Sequence, residues 1–68
     1  MATALVPGSF NPIHHGHVRI IETVAATFDR VVVAAVGNPN KAPDPFSLEQ
    51  RRALIAESLA HLPNVETA

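Results

Sequence analysis

Seven residues, RVVVAAV from Arg30 to Val36, form an unbroken run of β-branched and small apolar residues behind a single arginine. A strand with one wet face alternates apolar with polar residues. This one does not, so it reads as a strand covered on both faces. The segment before it has a different period. His17, Ile21, Val24, Ala25 and Phe28 recur at helical spacing and form one stripe of a helix that starts at Gly16. The segment after it is helical again. Ser47 and Gln50 have the Ser-x-x-Gln spacing of a capping box. Leu48, Ile55, Leu59 and Leu62 mark the buried stripe of that second helix, with Leu54 beside it, and Pro63-Asn64 ends it. Thr3 to Pro7 (TALVP) is short, apolar and closed by a breaker, which predicts a further buried strand. Val65 to Ala68 (VETA) begins a third strand.

The order is therefore β-α-β-α-(β), the alternation of a parallel sheet. Right-handed crossovers running in one direction place both helices on one face. The opposite face of Val31–Val36 is then left without cover, so a second half or another subunit is expected there. The fold class is α/β, a Rossmann-like parallel sheet whose nucleotide-binding half is present and which is incomplete.

Size and charge narrow the function. A 68-residue chain is one small domain at most, and such a chain buries only about 60% of its unfolded surface. It has no cysteine, hence no disulfide or thiolate metal site. A formal net charge of −1 supplies no attraction to nucleic acid or an acidic membrane. No apolar run approaches the roughly 20 residues of a membrane span. MATALVPG lacks the basic start of a signal peptide. A cytoplasmic chain without nucleic-acid or membrane partners is expected.

The chemistry concentrates in Gly8 to His17, GSFNPIHHGH, which joins the first strand to the first helix. Three of the four histidines, His14, His15 and His17, lie there around Gly16. In open α/β sheets ligands sit beyond the carboxyl ends of the strands. A helix start adds unpaired N–H groups and partial positive charge, an anion site. Histidines beside it can donate to phosphate oxygens, and Gly16 allows close backbone approach. A structural zinc site normally needs four ligands, and His61 lies far off on the second helix. No metal ligands are expected among these residues. His15 is expected to be merely exposed, Arg51 and Arg52 to form a solvated helix face, and Phe28 and Phe46 to be core.

PGSFNPIHHGH resembles the signature of nucleotidyltransferases with a (T/H)xGH motif. FDRVVVAAVGNPNK, FSLEQRRALI and AHLPNVE follow in the order found in the N-terminal part of the phosphopantetheine adenylyltransferase family. Residues 1–68 are then the N-terminal part of a single nucleotidyltransferase domain. The resemblance implies adenylyl transfer from ATP to 4′-phosphopantetheine, giving dephospho-coenzyme A and pyrophosphate. It implies Mg²⁺ on the pyrophosphate and a homo-oligomer, a hexamer in that family.

Residue by residue, the resemblance implies that Ser9 meets the phosphates of both substrates and that the Phe10 backbone touches the nucleotide. His17 would contact ATP phosphates and stabilise the transition state. His14 would be the first motif histidine, and Lys41 would bind the acceptor's phosphate. The chain departs from the family's usual Asp at Asn11, Thr at His14 and Asp at Arg19. HHGHVR is closer to the nicotinate mononucleotide enzymes. Transfer of an adenylyl or cytidylyl group to another phosphate acceptor is therefore the alternative. The other alternative is an inactive nucleotide-binding fragment, because the superfamily's second signature has no counterpart and activity of the 68-residue chain alone is not expected.

Overall fold

The valines of the central run decide the layering, because alternate side chains of a strand face opposite sides. In a computed structural model, which describes residues 2–36 and 46–68, the elements are β1 (Thr3–Gly8), α1 (His15–Thr27), β2 (Arg30–Ala35), α2 (Leu48–Ser58) and β3 (Val65–Thr67). The sheet order is β1-β2-β3, and both pairings are parallel. Thr3 pairs with Arg30 and Gly8 with Ala35, while Val31 pairs with Val65. The expected β-α-β-α-β alternation and parallel sheet are therefore present.

Val31, Val33 and Ala35 are buried on one face of β2. They share a single core cluster with Ile21 and Ala25 of α1, Ile55 of α2, and Leu59 and Phe10. Both helices thus cover the same face. Val32 and Ala34, on the other face, are only half-buried, and Leu5 in the neighbouring strand is 65% exposed. The described residues bury β2 fully on one side only. β1 also differs from its expected burial. It has a paired neighbour on one side only, every second residue is exposed, and the others are half-buried. Pro7 is tolerated there because an edge strand has free N–H positions.

Each helix is closed by side chains. Ser47 and Gln50 form the expected reciprocal cap, Ser47 Oγ accepting from Gln50 N at 3.1 Å and Gln50 Oε1 accepting from Ser47 N at 2.9 Å. α2 ends at Ser58, earlier than Leu62, because the chain tightens into three-residue turns, with Ala60 N bonded to Glu57 O and Leu62 N to Leu59 O. Leu48, expected on the buried stripe, opens α2 and is 38% exposed. Asn64 Nδ2 donates to the carbonyls of Ala25 and Phe28 at 2.8 and 3.0 Å. It satisfies acceptors that the end of α1 leaves unpaired. Phe28 is half-buried against the core, and Phe46 is half-buried beside Gln50, Ala53 and Leu54. No helix among the described residues is long and apolar enough to cross a membrane.

Candidate functional site

The chain between β1 and α1 turns sharply at the carboxyl edge of the sheet. Phe10 has φ of 45°, the left-handed region that non-glycine residues seldom adopt. The residue is 4% exposed and its ring belongs to the core. Gly8 makes that possible, since a Cβ there would stand 3.0 Å from the Phe10 ring. The backbone after β1 is thus bent outward while the side chain is driven inward. Ser9 is left exposed on the turn. The Asn11–Pro12 peptide that follows is cis, and the buried Asn11 Oδ1 finds no hydrogen-bond partner among the described residues.

α1 then opens on two histidines that cap it reciprocally. His14 is the N-cap, and its Nδ1 accepts the N–H of Gly16 at 3.0 Å. His17, three residues on, accepts the N–H of His14 at its own Nδ1, also at 3.0 Å. The two rings stack with centroids 3.7 Å apart, and the edge of the Phe10–His17 pair closes the row at 5.0 Å. Gly16 also has a task within the chain. A Cβ at Gly16 would lie 2.9 Å from His14 Cε1, so its bareness admits the folded-back His14 ring.

This arrangement has a chemical consequence. A neutral imidazole has one N–H and one acceptor nitrogen. Both Nδ1 atoms are occupied as acceptors of backbone N–H groups, so the neutral form of each ring is the tautomer with its N–H at Nε2. Burial first, and the neighbouring His14 second, hold the His17 imidazole below its ordinary pKa and favour this neutral form. Two Nε2–H donors therefore stand at a helix N-terminus whose first turn holds no acidic residue. A carboxylate there would occupy the positive end of the helix that an anion could otherwise use. Beside them, Gly8, Ser9, Phe10, His17 and the 62% exposed Ile20 line a cavity of about 190 Å³.

The structure brings Ser9, Phe10, His14 and His17 together. Lys41 lies outside the described residues. His15 is exposed, and His61 sits apart, its Nε2 2.8 Å from Glu22 Oε2. Among the described residues no group of three or more His, Cys, Asp or Glu side chains could hold a metal ion.

Arg51 is a correction. Expected on a solvated face, it is 3% exposed, and its Nη1 donates to the carbonyls of Ser9 at 2.8 Å and Val36 at 3.3 Å. Arg52 is exposed, as expected. Arg51 lies four residues before Ile55 and eight before Leu59, so helical spacing alone puts it on the buried stripe. Its charge argued for water, and only the neighbouring carbonyls explain why it is inside.

A family model described as cytidylyltransferase-like matches residues 5–68. Among curated relatives, a phosphopantetheine adenylyltransferase of Symbiobacterium thermophilum is 48% identical over 68 residues, covering 100% of this chain and 41% of the relative. One from Synechococcus sp. (strain JA-2-3B'a(2-13)) is 56% identical over 63 residues, 93% of this chain and 39% of the relative. One from Haemophilus influenzae is 50% identical over 66 residues, 97% of this chain and 42% of the relative. The chain thus spans well under half the length of the curated relatives it matches.

Proposed function

This chain belongs to the cytidylyltransferase-like family, and from that premise we propose that the protein it represents transfers the adenylyl group of ATP to 4′-phosphopantetheine. The observation that carries this is the pair of backbone-anchored histidines, whose free Nε2–H groups stand at the start of α1. The identities of about one half to relatives named phosphopantetheine adenylyltransferase support the choice of acceptor.

In this reaction an acceptor phosphate oxygen attacks the α-phosphorus of ATP. A new P–O bond forms, the bond to the β-phosphate oxygen breaks, and pyrophosphate leaves with that electron pair. The products are dephospho-coenzyme A and pyrophosphate. The nucleophile is already ionised near neutral pH, so no general base is required. What the protein must supply is alignment and neutralisation of charge. Nitrogen donors suit that work, and among the described residues the site contains no carboxylate pair.

In the proposed assignment, His17 Nε2–H donates to the α-phosphate as charge gathers there. His14 supports it from the N-cap, and the helix start attracts the phosphates. Ser9 Oγ bridges the phosphates of the two substrates, and the Phe10 backbone contacts the nucleotide. Lys41 binds the acceptor's phosphate. Mg²⁺ would arrive on the nucleotide's phosphates, where it prefers oxygen ligands and keeps several waters. The described residues offer it no seat of their own. We further propose a cytoplasmic homo-oligomer, hexameric by family resemblance.

The full-length protein should be assayed with ATP and Mg²⁺ against 4′-phosphopantetheine and nicotinate mononucleotide. Release of pyrophosphate together with dephospho-coenzyme A is the expected result. Transfer to nicotinate mononucleotide alone would move the assignment to that acceptor. Nucleotide binding with no transfer to either would leave a binding module.

A further inference from the structure

Resting on the adenylyl-transfer reading, we propose that Arg51 is a positioning residue that aims the Phe10 N–H at the nucleotide's phosphates. The group held is the peptide between Ser9 and Phe10. Its carbonyl belongs to Ser9 and its N–H to Phe10, and in a planar trans peptide the two point in opposite directions. Arg51 Nη1 grips that carbonyl at 2.8 Å. Holding the carbonyl toward α2 turns the Phe10 N–H away from it. Among the described residues that N–H donates to no partner, so no protein acceptor competes with an anion for it.

Three further features make the grip specific. Phe10 sits at φ of 45°, and such a backbone persists only where its surroundings over-determine it. Its buried ring fixes one side of the turn, and Arg51 fixes the other. The same Nη1 also donates to Val36 O at 3.3 Å, and Arg51 Nε donates to Ser47 O at 3.4 Å. One side chain therefore joins the chain just beyond β1, the chain just beyond β2 and the N-cap of α2. Ser9 O and Val36 O both lie past the ends of their strands, where the sheet ladder no longer supplies donors. Val36 N still donates to Gly8 O at 2.9 Å, so this is where regular pairing stops and Arg51 takes over.

The test uses the full-length protein with Arg51→Met and Arg51→Lys. Methionine keeps the apolar stem and removes every donor. Lysine keeps the charge and some donors but lacks the fork and is shorter. Two readouts are needed, turnover with the Michaelis constants, and the amide NMR signal of Phe10 titrated with inorganic pyrophosphate.

In the wild type the Phe10 amide should shift as pyrophosphate is added. In Arg51→Met that response should vanish while the His17 ring still responds, and turnover should fall on the order of 10²-fold, the scale of a small misplacement. Arg51→Lys should fall between the two. A purely structural role predicts a lower melting temperature with the Phe10 response and turnover kept in the folded fraction, which would overturn the proposal. If Arg51→Met does not fold, Arg51→Lys decides, and an unchanged Phe10 response in it rejects the idea. A wild type that is active but whose Phe10 amide ignores pyrophosphate also rejects it, with the adenylyl-transfer reading intact. A wild type that transfers nothing rejects that reading, and loss of the Phe10 response in Arg51→Met then still shows that Arg51 aims the turn.

Discussion

His17 accepts the backbone N–H of His14 at Nδ1, 3.0 Å away, while its ring lies on the His14 ring at 3.7 Å. One side chain thus caps the helix with one nitrogen and keeps the other as a donor. His17→Ala in the full-length protein removes both. Turnover should drop about 10²–10³-fold, the usual cost of losing a donor aimed at transition-state charge. The Michaelis constant for ATP should change little, because the interaction strengthens only as charge develops. Steady-state kinetics with varied ATP checks this. A large rise in the Michaelis constant with turnover intact would assign His17 to ground-state binding instead.

Gly16→Ala is expected to behave like a mutation of His14. Alanine in a helix is normally favoured over glycine by up to about 1 kcal/mol. Here its Cβ would meet the His14 ring at 2.9 Å and push it off the N-cap, and a lost cap costs roughly 0.5–2 kcal/mol. The two effects oppose, so the melting temperature should move by only a few degrees. Turnover should fall by the same modest factor as in His14→Ala, and the double variant should be no worse than either single one. His15→Ala should be nearly silent. Full additivity of Gly16→Ala and His14→Ala would show that the ring and the glycine act separately.

The lowered pKa of His17 fixes the sign of one pH effect. Folding holds His17 neutral below its ordinary pKa of 6.5, mainly by burial. The unfolded chain takes up a proton there that the folded one resists. The His17 contribution is thus fully present above about 6.5 and is lost as pH falls through the lowered folded value. Denaturant midpoints should decline between pH 7.5 and 5.5, and more steeply in the wild type than in His17→Ala. Equal slopes would mean that His17 is not the group responsible.

Asn64→Ala tests how the end of α1 is held. Asn64 Nδ2 serves Ala25 O at 2.8 Å and Phe28 O at 3.0 Å, both part-buried. Removing the donor should destabilise by about 1–3 kcal/mol. Asn64→Asp should do no better, since a carboxylate cannot donate. Urea unfolding checks this, with any turnover of the folded full-length protein unchanged because the contact lies at the opposite end of α1 from the histidines. A change within about 0.5 kcal/mol, the range of an ordinary surface substitution, would count against the assigned role.

Lys41→Ala should weaken binding of the phosphate-bearing acceptor more than binding of ATP, by about 1.5–3 kcal/mol for one lost charge-assisted contact. Calorimetric titration of each substrate separates the two. Equal losses would reject the assignment.

Local pattern determined much of this protein. The apolar run Arg30–Val36, the helical stripe through Ile21 and Ala25, and the Ser47-x-x-Gln50 cap each depend on neighbours within a turn or a strand, and each is present in the fold. His14 and His17 share that same three-residue spacing. Their reciprocal cap was therefore written in the chain, and it was hidden only because histidine is not among the usual capping residues. Other features needed the tertiary structure. Phe10 is core because Gly8 leaves room for its ring and because residues of α1, β2 and α2 share one cluster with it. The edge character of β1 follows from which strands flank it. Arg51 is buried because the carbonyls of Ser9 and Val36, 42 and 15 residues away in the chain, converge on it. A cation leaves water only where enough acceptors meet it. Such a meeting depends on how separate elements dock, and no window of the sequence contains it.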